Sequence, residues 1–245
     1  MRASFVSTGP LPGARFGGRV CLPGTAGAAA LVEAAEADPA ALPRLLAEAG
    51  GVLLLPAMGA MAEAPGLLLR LSRVFGPEVE NYRTTGMAPN MVHPAVPEIF
   101  IVSNTPPVSR PPPKRPDPPF NPDGSLPVQF PHRRGWHTDQ SYRRPPPDIS
   151  LFLAVVPVPR DQRQTLFADG TAAYAALPPA LKARVDGVHE WTAGDLVVRD
   201  NRCTVHAATR FDAERLERVI WRTTVGGNPG PGYAGERPSW LAAAE

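Results

Sequence analysis

Residues 194–226, GDLVVRDNRCTVHAATRFDAERLERVIWRTTVG, decide how this chain folds. An extended segment lies at each end, Gly194 to Asp200 and Arg218 to Gly226, rich in β-branched and apolar residues and bounded by turn formers. Side chains alternate along a strand. In the second segment Arg218, Ile220, Arg222 and Thr224 therefore share one face, and Val219, Trp221, Thr223 and Val225 the other. Two arginines on an otherwise apolar surface require an acceptor if they point inward. Their planar fork suits a carboxylate. His206 lies between the two strands, following Asp200-Asn201.

Working outward, Asp148 to Val156 and Thr165 to Phe167 read as strands, as does Trp136 to Ser141. A helix is expected from about Thr171 to Val185, with Tyr174, Leu177, Leu181 and Val185 at intervals of three and four. The first half is more helical. Leu42, Leu45, Leu46 and Ala49 predict a helix over Pro39 to Ala49, ended by Gly50-Gly51. A buried strand follows at Val52 to Leu55, then a helix from about Glu63 to Phe75, then a strand from Glu98 to Ser103. Nine of the seventeen positions from Pro106 to Pro122 are proline, which excludes both ladder and helix. The wider segment 106–131 is expected to be a loop or lid inside one domain, 1–245. Strands in the second half with helices in the first predict a mainly β fold with flanking α-helices, a sandwich or barrel padded on one side.

Bulk properties narrow the function classes. The chain is 43% hydrophobic, enough for a sizeable core, yet no apolar run approaches the length that crosses a bilayer. Met1 to Val20 lacks a basic-then-apolar leader, so the expected address is cytoplasmic, with no membrane partner. The net charge of +2 comes from scattered arginines without a coherent basic face, which argues against nucleic acid. Two cysteines, Cys21 and Cys203, make neither a disulfide framework nor a zinc cluster and are expected to pack as small apolar residues.

The chemical signal is Trp136-His137-Thr138-Asp139. On a strand His137 and Asp139 would aim an imidazole nitrogen and a carboxylate oxygen at one point. His206 could add a second imidazole. Two histidines and one carboxylate on one face of an octahedral ion leave three positions open. A His-x-Asp pair alone is a weak signal, and such a histidine is more often hydrogen-bonded than ligating. His93, His132 and His189 show no comparable pattern and are expected to be structural or solvated.

Four segments in order, WHTDQSY (136–142), TLFADGTAAYAALP (165–178), GDLVVRDNRCTVHAA (194–208) and RVIWRTTVGG (218–227), resemble the taurine / 2,4-dichlorophenoxyacetate dioxygenase family of iron(II)- and 2-oxoglutarate-dependent oxygenases. PGARFGG (12–18), GVLLL (51–55), LSRVFGP (71–77) and IVSN (101–104) extend the resemblance over most of the chain. It implies a double-stranded β-helix, or jelly roll. It implies His137, Asp139 and His206 as iron ligands and Thr165 as a hydroxyl that bonds the cosubstrate. Arg222 matches the arginine that pairs with the distal carboxylate of 2-oxoglutarate, with Arg218 in support. Asn104 matches a weaker substrate-side contact, and Trp136 and Trp221 are packing residues. The implied reaction uses Fe(II), 2-oxoglutarate and dioxygen to oxidise a small organic substrate, releasing succinate and carbon dioxide.

The sequence departs from the family in length. Leu181 to Val185 runs almost directly into Gly194-Asp195-Leu196, so His137 and His206 lie only 69 positions apart. A shortening between about Val185 and Gly194 predicts missing strands and exposed sheet edges, which a second copy of the chain would cover as a homo-oligomer. Arg160 to Gln164 also stands where the family favours a Gly-Gly-Asp turn. Two other readings stay open at this point. One is a remnant that binds metal or dicarboxylate without turnover. The other is a zinc hydrolase, which leaves Thr165 and Arg222 unexplained.

Overall fold

The chain is known from a computed structural model that describes residues 5–7, 11, 16–24, 26–85, 89–103, 137–140, 146–159, 165–170, 187–189, 192–208 and 216–226. Its strands are β1 (Val6–Ser7), β2 (Gly18–Cys21), β3 (Val52–Leu55), β4 (Phe100–Ser103), β5 (Ile149–Val156), β6 (Thr165–Asp169), β7 (Gly187–His189), β8 (Leu196–Asp200), β9 (Thr204–Ala208) and β10 (Val219–Val225). Helices α1 (Ala28–Ala37), α2 (Ala41–Glu48), α3 (Ala60–Glu63) and α4 (Gly66–Phe75) all precede β4.

Seven strands form one sheet in the order β1-β2-β3-β8-β5-β10-β4, and three form a second in the order β7-β6-β9. Only β2 and β3 run parallel among these pairs. All four residues of β3 are buried, as its unbroken Val-Leu-Leu-Leu run requires of a strand covered on both faces. Turning from α2 into β3 needs left-handed backbone at Gly50 and Gly51, with φ of 73° and 92°. A Cβ on Gly51 would also stand 2.6 Å from Cys203 Sγ, so this position admits no side chain without rearrangement.

The large sheet has two different faces. Leu53, Leu55, Leu151, Leu153, Leu196, Val198, Trp221 and Val225 lie in one cluster with Leu31 and Val32 of α1, Leu42 and Leu46 of α2, and Leu68 and Leu71 of α4. Each such leucine contributes about 2 kcal/mol by leaving water. Ser72 of α4 fastens the layers: its Oγ donates to Leu68 O at 2.7 Å and lies 2.6 Å from Thr223 Oγ1 on β10. On the other face Val52, Leu54, Ala154, Val197 and Ile220 meet Phe167 of β6, which brings the small sheet across it. The same inner face carries Arg199, Arg222 and Thr224 in place of apolar groups.

Several elements differ from expectation. α1 has no counterpart in the sequence reading because its buried side is Ala28, Leu31, Val32 and Ala35, a weak apolar stripe. The helix expected from Glu63 is two, broken before Pro65 at the start of α4. Within 137–140 the expected strand is a single bridge, His137 to His206, followed by a turn with Gln140 at φ 49°. The cause is a tertiary contact: the backbone of Asp139 is bonded to the side chain of Asn201 on both its N–H and its carbonyl, which removes it from any ladder. His206, expected between strands, lies within β9, and His189 lies within β7. The helix expected over 171–185, the proline-rich segment 106–131, His132, Trp136 and Asn104 fall outside the described residues.

The large sheet is thus covered by helices on one face and by the small sheet on the other, a β sandwich with a helical cover.

Candidate metal centre

The two histidines are joined through their backbones. His137 N donates to His206 O at 3.1 Å and His206 N to His137 O at 3.0 Å, so the rings stand side by side with centroids 4.3 Å apart. The ring Nδ1 of His206 is 3.1 Å from His137 O. A carbonyl only accepts, so this contact selects the tautomer with the proton on Nδ1 and frees Nε2 as a ligand. Burial and the charge of Arg199 hold the His206 pKa well below that of a free histidine, which keeps the ring neutral and ready to coordinate.

Asp139 enters from the turn after His137. Its carboxylate is gripped by two arginines from the sheet floor: Arg199 Nη2 donates to Oδ2 at 2.7 Å, and Arg222 Nη1 to Oδ1 at 3.0 Å. Burial opposes ionisation of Asp139, but Arg222 and Arg199 outweigh it and hold the carboxyl well below its usual range. His137 Nε2 lies 3.9 Å from Asp139 Oδ1. One ligand atom from each of His137, Asp139 and His206 can be chosen so that all three lie within 4.8 Å of one another.

The register explains why the arginines converge. Arg222 pairs with Phe152 and Phe152 with Val197, while Arg199 pairs with Ser150, one step along. Arg199 and Arg222 thus flank Phe152 on one face, with guanidinium carbons 5.8 and 6.0 Å from its ring centroid. Phe100 supports Arg222 from the other side at 5.0 Å. His206 rests near Phe152, ring centroids 5.9 Å apart.

Asn201 completes the clamp. Its Oδ1 accepts from Asp139 N at 2.8 Å and Arg199 Nη2 at 2.9 Å, and its Nδ2 donates to Asp139 O at 3.0 Å and Pro147 O at 2.9 Å. All four hydrogen-bonding capacities of this amide, two donors and two acceptor lone pairs, are used. Beside the centre, Gln140 Nε2 donates to Glu80 Oε2 at 2.8 Å. Tyr82 OH lies 2.7 Å from Thr224 Oγ1.

Of the residues singled out in the sequence, His137, Asp139, His206 and Arg222 come together here. Arg218, just before β10 and four residues back from Arg222, is buried, and Thr165 is buried on β6, where it pairs with Ala208. Ile220, between Arg218 and Arg222 on that face, packs in one cluster with Phe167. Trp221 lies in the core against the edge of His93, whose Nδ1 accepts from Ala95 N and Val96 N in a tight turn. Cys21 and Cys203 are free and only half-buried. The sequence reading missed Arg199, Asn201 and Phe152. A charged residue within the apolar run Leu-Val-Val-Arg was a usable signal for the first; nothing local distinguishes Asn201 from an ordinary turn residue.

Comparison with known proteins agrees with this geometry. The chain belongs to the taurine catabolism dioxygenase TauD, TfdA family, whose model matches residues 22–190 and 187–224. The two matches meet where the sequence is shortened. A (S)-phenoxypropionate/alpha-ketoglutarate-dioxygenase of Delftia acidovorans is 40% identical over 63 residues, which is 26% of this chain and 20% of that protein. One of the same name from Sphingobium herbicidovorans is 42% identical over 41 residues, 17% of this chain and 14% of that protein. The matched stretches thus span a fifth or less of these relatives. Among solved structures, a taurine dioxygenase from Burkholderia xenovorans superposes with a TM-score of 0.59 at 17% identity, covering 96% of this chain and 93% of that one. AAD-2 in complex with Mn(II) and N-oxalylglycine gives 0.56 at 18% identity, covering 92% and 98%. These likenesses establish the jelly-roll fold.

Proposed function

We propose that the chain is an Fe(II)- and 2-oxoglutarate-dependent dioxygenase. The observation that carries this reading is the convergence of His137, Asp139 and His206 to within 4.8 Å. The donor set fits the metal: two imidazoles and one ionised carboxylate, with His206 held neutral and already in the ligating tautomer. Arg222 fits an anionic co-ligand, because its buried Nε has no hydrogen-bond partner among the described residues. Iron(II) held by these residues, with 2-oxoglutarate and dioxygen, would supply oxidative decarboxylation to succinate and carbon dioxide, coupled to oxidation of a C–H bond.

The protein's own residues bind and orient. His137, Asp139 and His206 would hold the metal. Arg222, Arg218 and Thr165 would hold the cosubstrate, the two arginines by charge and Thr165 by its hydroxyl. Phe152, Phe167 and Ile220 keep water out of the floor. The names of the two relatives suggest a small organic acid as primary substrate.

The test is anaerobic titration of Fe(II)-loaded protein with 2-oxoglutarate. A visible metal-to-ligand charge-transfer band that is absent from His137→Ala supports the reading. No band under conditions where iron is bound overturns it.

A further inference from the structure

We infer that Tyr82 is a positioning residue whose buried hydroxyl fixes the plane of the Arg222 guanidinium that receives the dicarboxylate. The inference rests on the proposed role of Arg222 as a cosubstrate contact. Tyr82 is 1% exposed and lies outside the motifs that carry the family resemblance. Its place is set by backbone bonds to the end of β10. Gly226 N donates to Glu78 O, Val79 bridges Val225, and Glu80 N donates to Thr224 O at 2.9 Å. Tyr82 N then donates to Pro97 O at 3.0 Å, at the start of a 3-10 turn over Tyr82–Thr84. This register brings the phenol to Thr224, two residues beyond Arg222 on the same face of β10.

A short relay joins the two side chains. A guanidinium only donates, so in its bond with Arg222 the Tyr82 oxygen accepts. The phenol proton then points to Thr224 Oγ1, 2.7 Å away. Burial pushes the Tyr82 pKa up, which keeps that proton in place. Thr224 thus holds the hydroxyl rotor with a lone pair toward Arg222. Phe100 completes the mount: its ring centroid is 5.3 Å from that of Tyr82 and 5.0 Å from the Arg222 guanidinium carbon. Held only by its bond to Asp139 Oδ1, the guanidinium could pivot about that one contact. A second contact at Tyr82, with a ring against it, leaves its plane one orientation. The buried Arg222 Nε, without a partner among the described residues, is then aimed by the fold before any ligand arrives. A carboxylate pairs best with a guanidinium lying in its own plane, and a group already oriented loses little freedom on binding. Glu80 of the same segment adds its negative charge to the field at Arg222, and removal of the hydroxyl alone leaves that charge in place.

The experiment compares wild type with Tyr82→Phe, which removes only the hydroxyl. Calorimetry measures Mn(II) binding to metal-free protein, then binding of 2-oxoglutarate and of oxalate to Mn(II)-loaded protein. Oxalate chelates a metal but has no distal carboxylate to offer an arginine. Tyr82→Phe is expected to weaken 2-oxoglutarate binding at least about fivefold, the worth of one hydrogen bond. Mn(II) and oxalate affinities are expected to stay within about twofold of wild type, since Asp139 keeps its bonds to both arginines. A merely structural role would lower all three together. Unchanged 2-oxoglutarate affinity, or a loss as large for oxalate or Mn(II), overturns the inference and leaves the metal site standing. If Tyr82→Phe does not fold, Thr224→Val, which takes away the acceptor of the hydroxyl, is measured in its place against the same outcomes. Wild type that binds no Mn(II), or no 2-oxoglutarate once loaded, overturns the proposed function and this inference with it.

Discussion

Replacing Asn201 with alanine tests whether the clamp on Asp139 is as important as its hydrogen bonds suggest. The amide is 3% exposed and makes four bonds, to Asp139 N, Asp139 O, Pro147 O and Arg199 Nη2. Each bond contributes about 1 kcal/mol net, and a buried group left without a partner costs about 1–3 kcal/mol. Arg199 keeps Asp139 and Thr204 as acceptors, so its share of the loss is small. Water admitted to the space of the missing amide relieves part of the penalty at the two carbonyls. The remaining cost is about 3 kcal/mol. For a domain of this size that lowers the melting temperature by roughly 6–12 °C. Urea unfolding of metal-free protein measures the free energy directly, with an unchanged slope showing that the transition is the same. Asn201→Asp keeps the shape but cannot donate to either carbonyl, so it should be at least as destabilised. A loss below about 1 kcal/mol in both variants would refute the reasoning, because the four bonds would then be worth no more than those of an exposed turn residue.

Arg222→Ala is expected to raise the 2-oxoglutarate requirement at least about tenfold while metal still binds, since Arg199 retains Asp139 Oδ2; equilibrium binding of each ligand measures the two effects, and unchanged cosubstrate affinity removes Arg222 from that site. His206 makes the metal-free protein acid-sensitive. Its folded pKa lies well below the free value of about 6.5, so the unfolded chain takes up a proton that the native state refuses, and stability is full above that value. Stability then falls with decreasing pH by up to about 1.4 kcal/mol per unit until the folded pKa is reached, and unfolding between pH 7 and 5 should show this slope reduced in His206→Gln. Equal slopes would contradict the burial of a neutral ring. Leu71→Ala in α4, which removes a fully buried side chain from the helical cover, is expected to cost about 2–5 kcal/mol without abolishing metal binding, as denaturation and calorimetry on the same protein would show.

How much the sequence shows depends on the range of the forces involved. β3, β8 and β10 were legible because alternation and β-branched runs are local properties, and their observed bounds fall within the expected ones. The faces of β10 were legible for the same reason. α1 was not, since alanine buries little area and leaves a faint stripe. The candidate ligands were legible through resemblance rather than geometry: His137 and Asp139 do come together with His206, but across a single bridge and a turn and not along one strand face. The turn at Asp139 is produced by Asn201, 62 positions away, and no local pattern reports such a bond. Arg199 is the same kind of case. Its partner Asp139 lies 60 positions off, and only the register of β8, β5 and β10 brings it beside Arg222.

The central claim is that these residues run 2-oxoglutarate-dependent oxidation, and succinate is its most direct witness. Anaerobically iron-loaded protein would be given 2-oxoglutarate, ascorbate and air, together with small organic acids of the phenoxypropionate type, and succinate would be measured beside a His137→Ala control. The account predicts succinate from the wild type at a rate that substrate increases, and none above background from the control. Succinate equal in both proteins, or none from iron-loaded wild type that has bound 2-oxoglutarate, would contradict it.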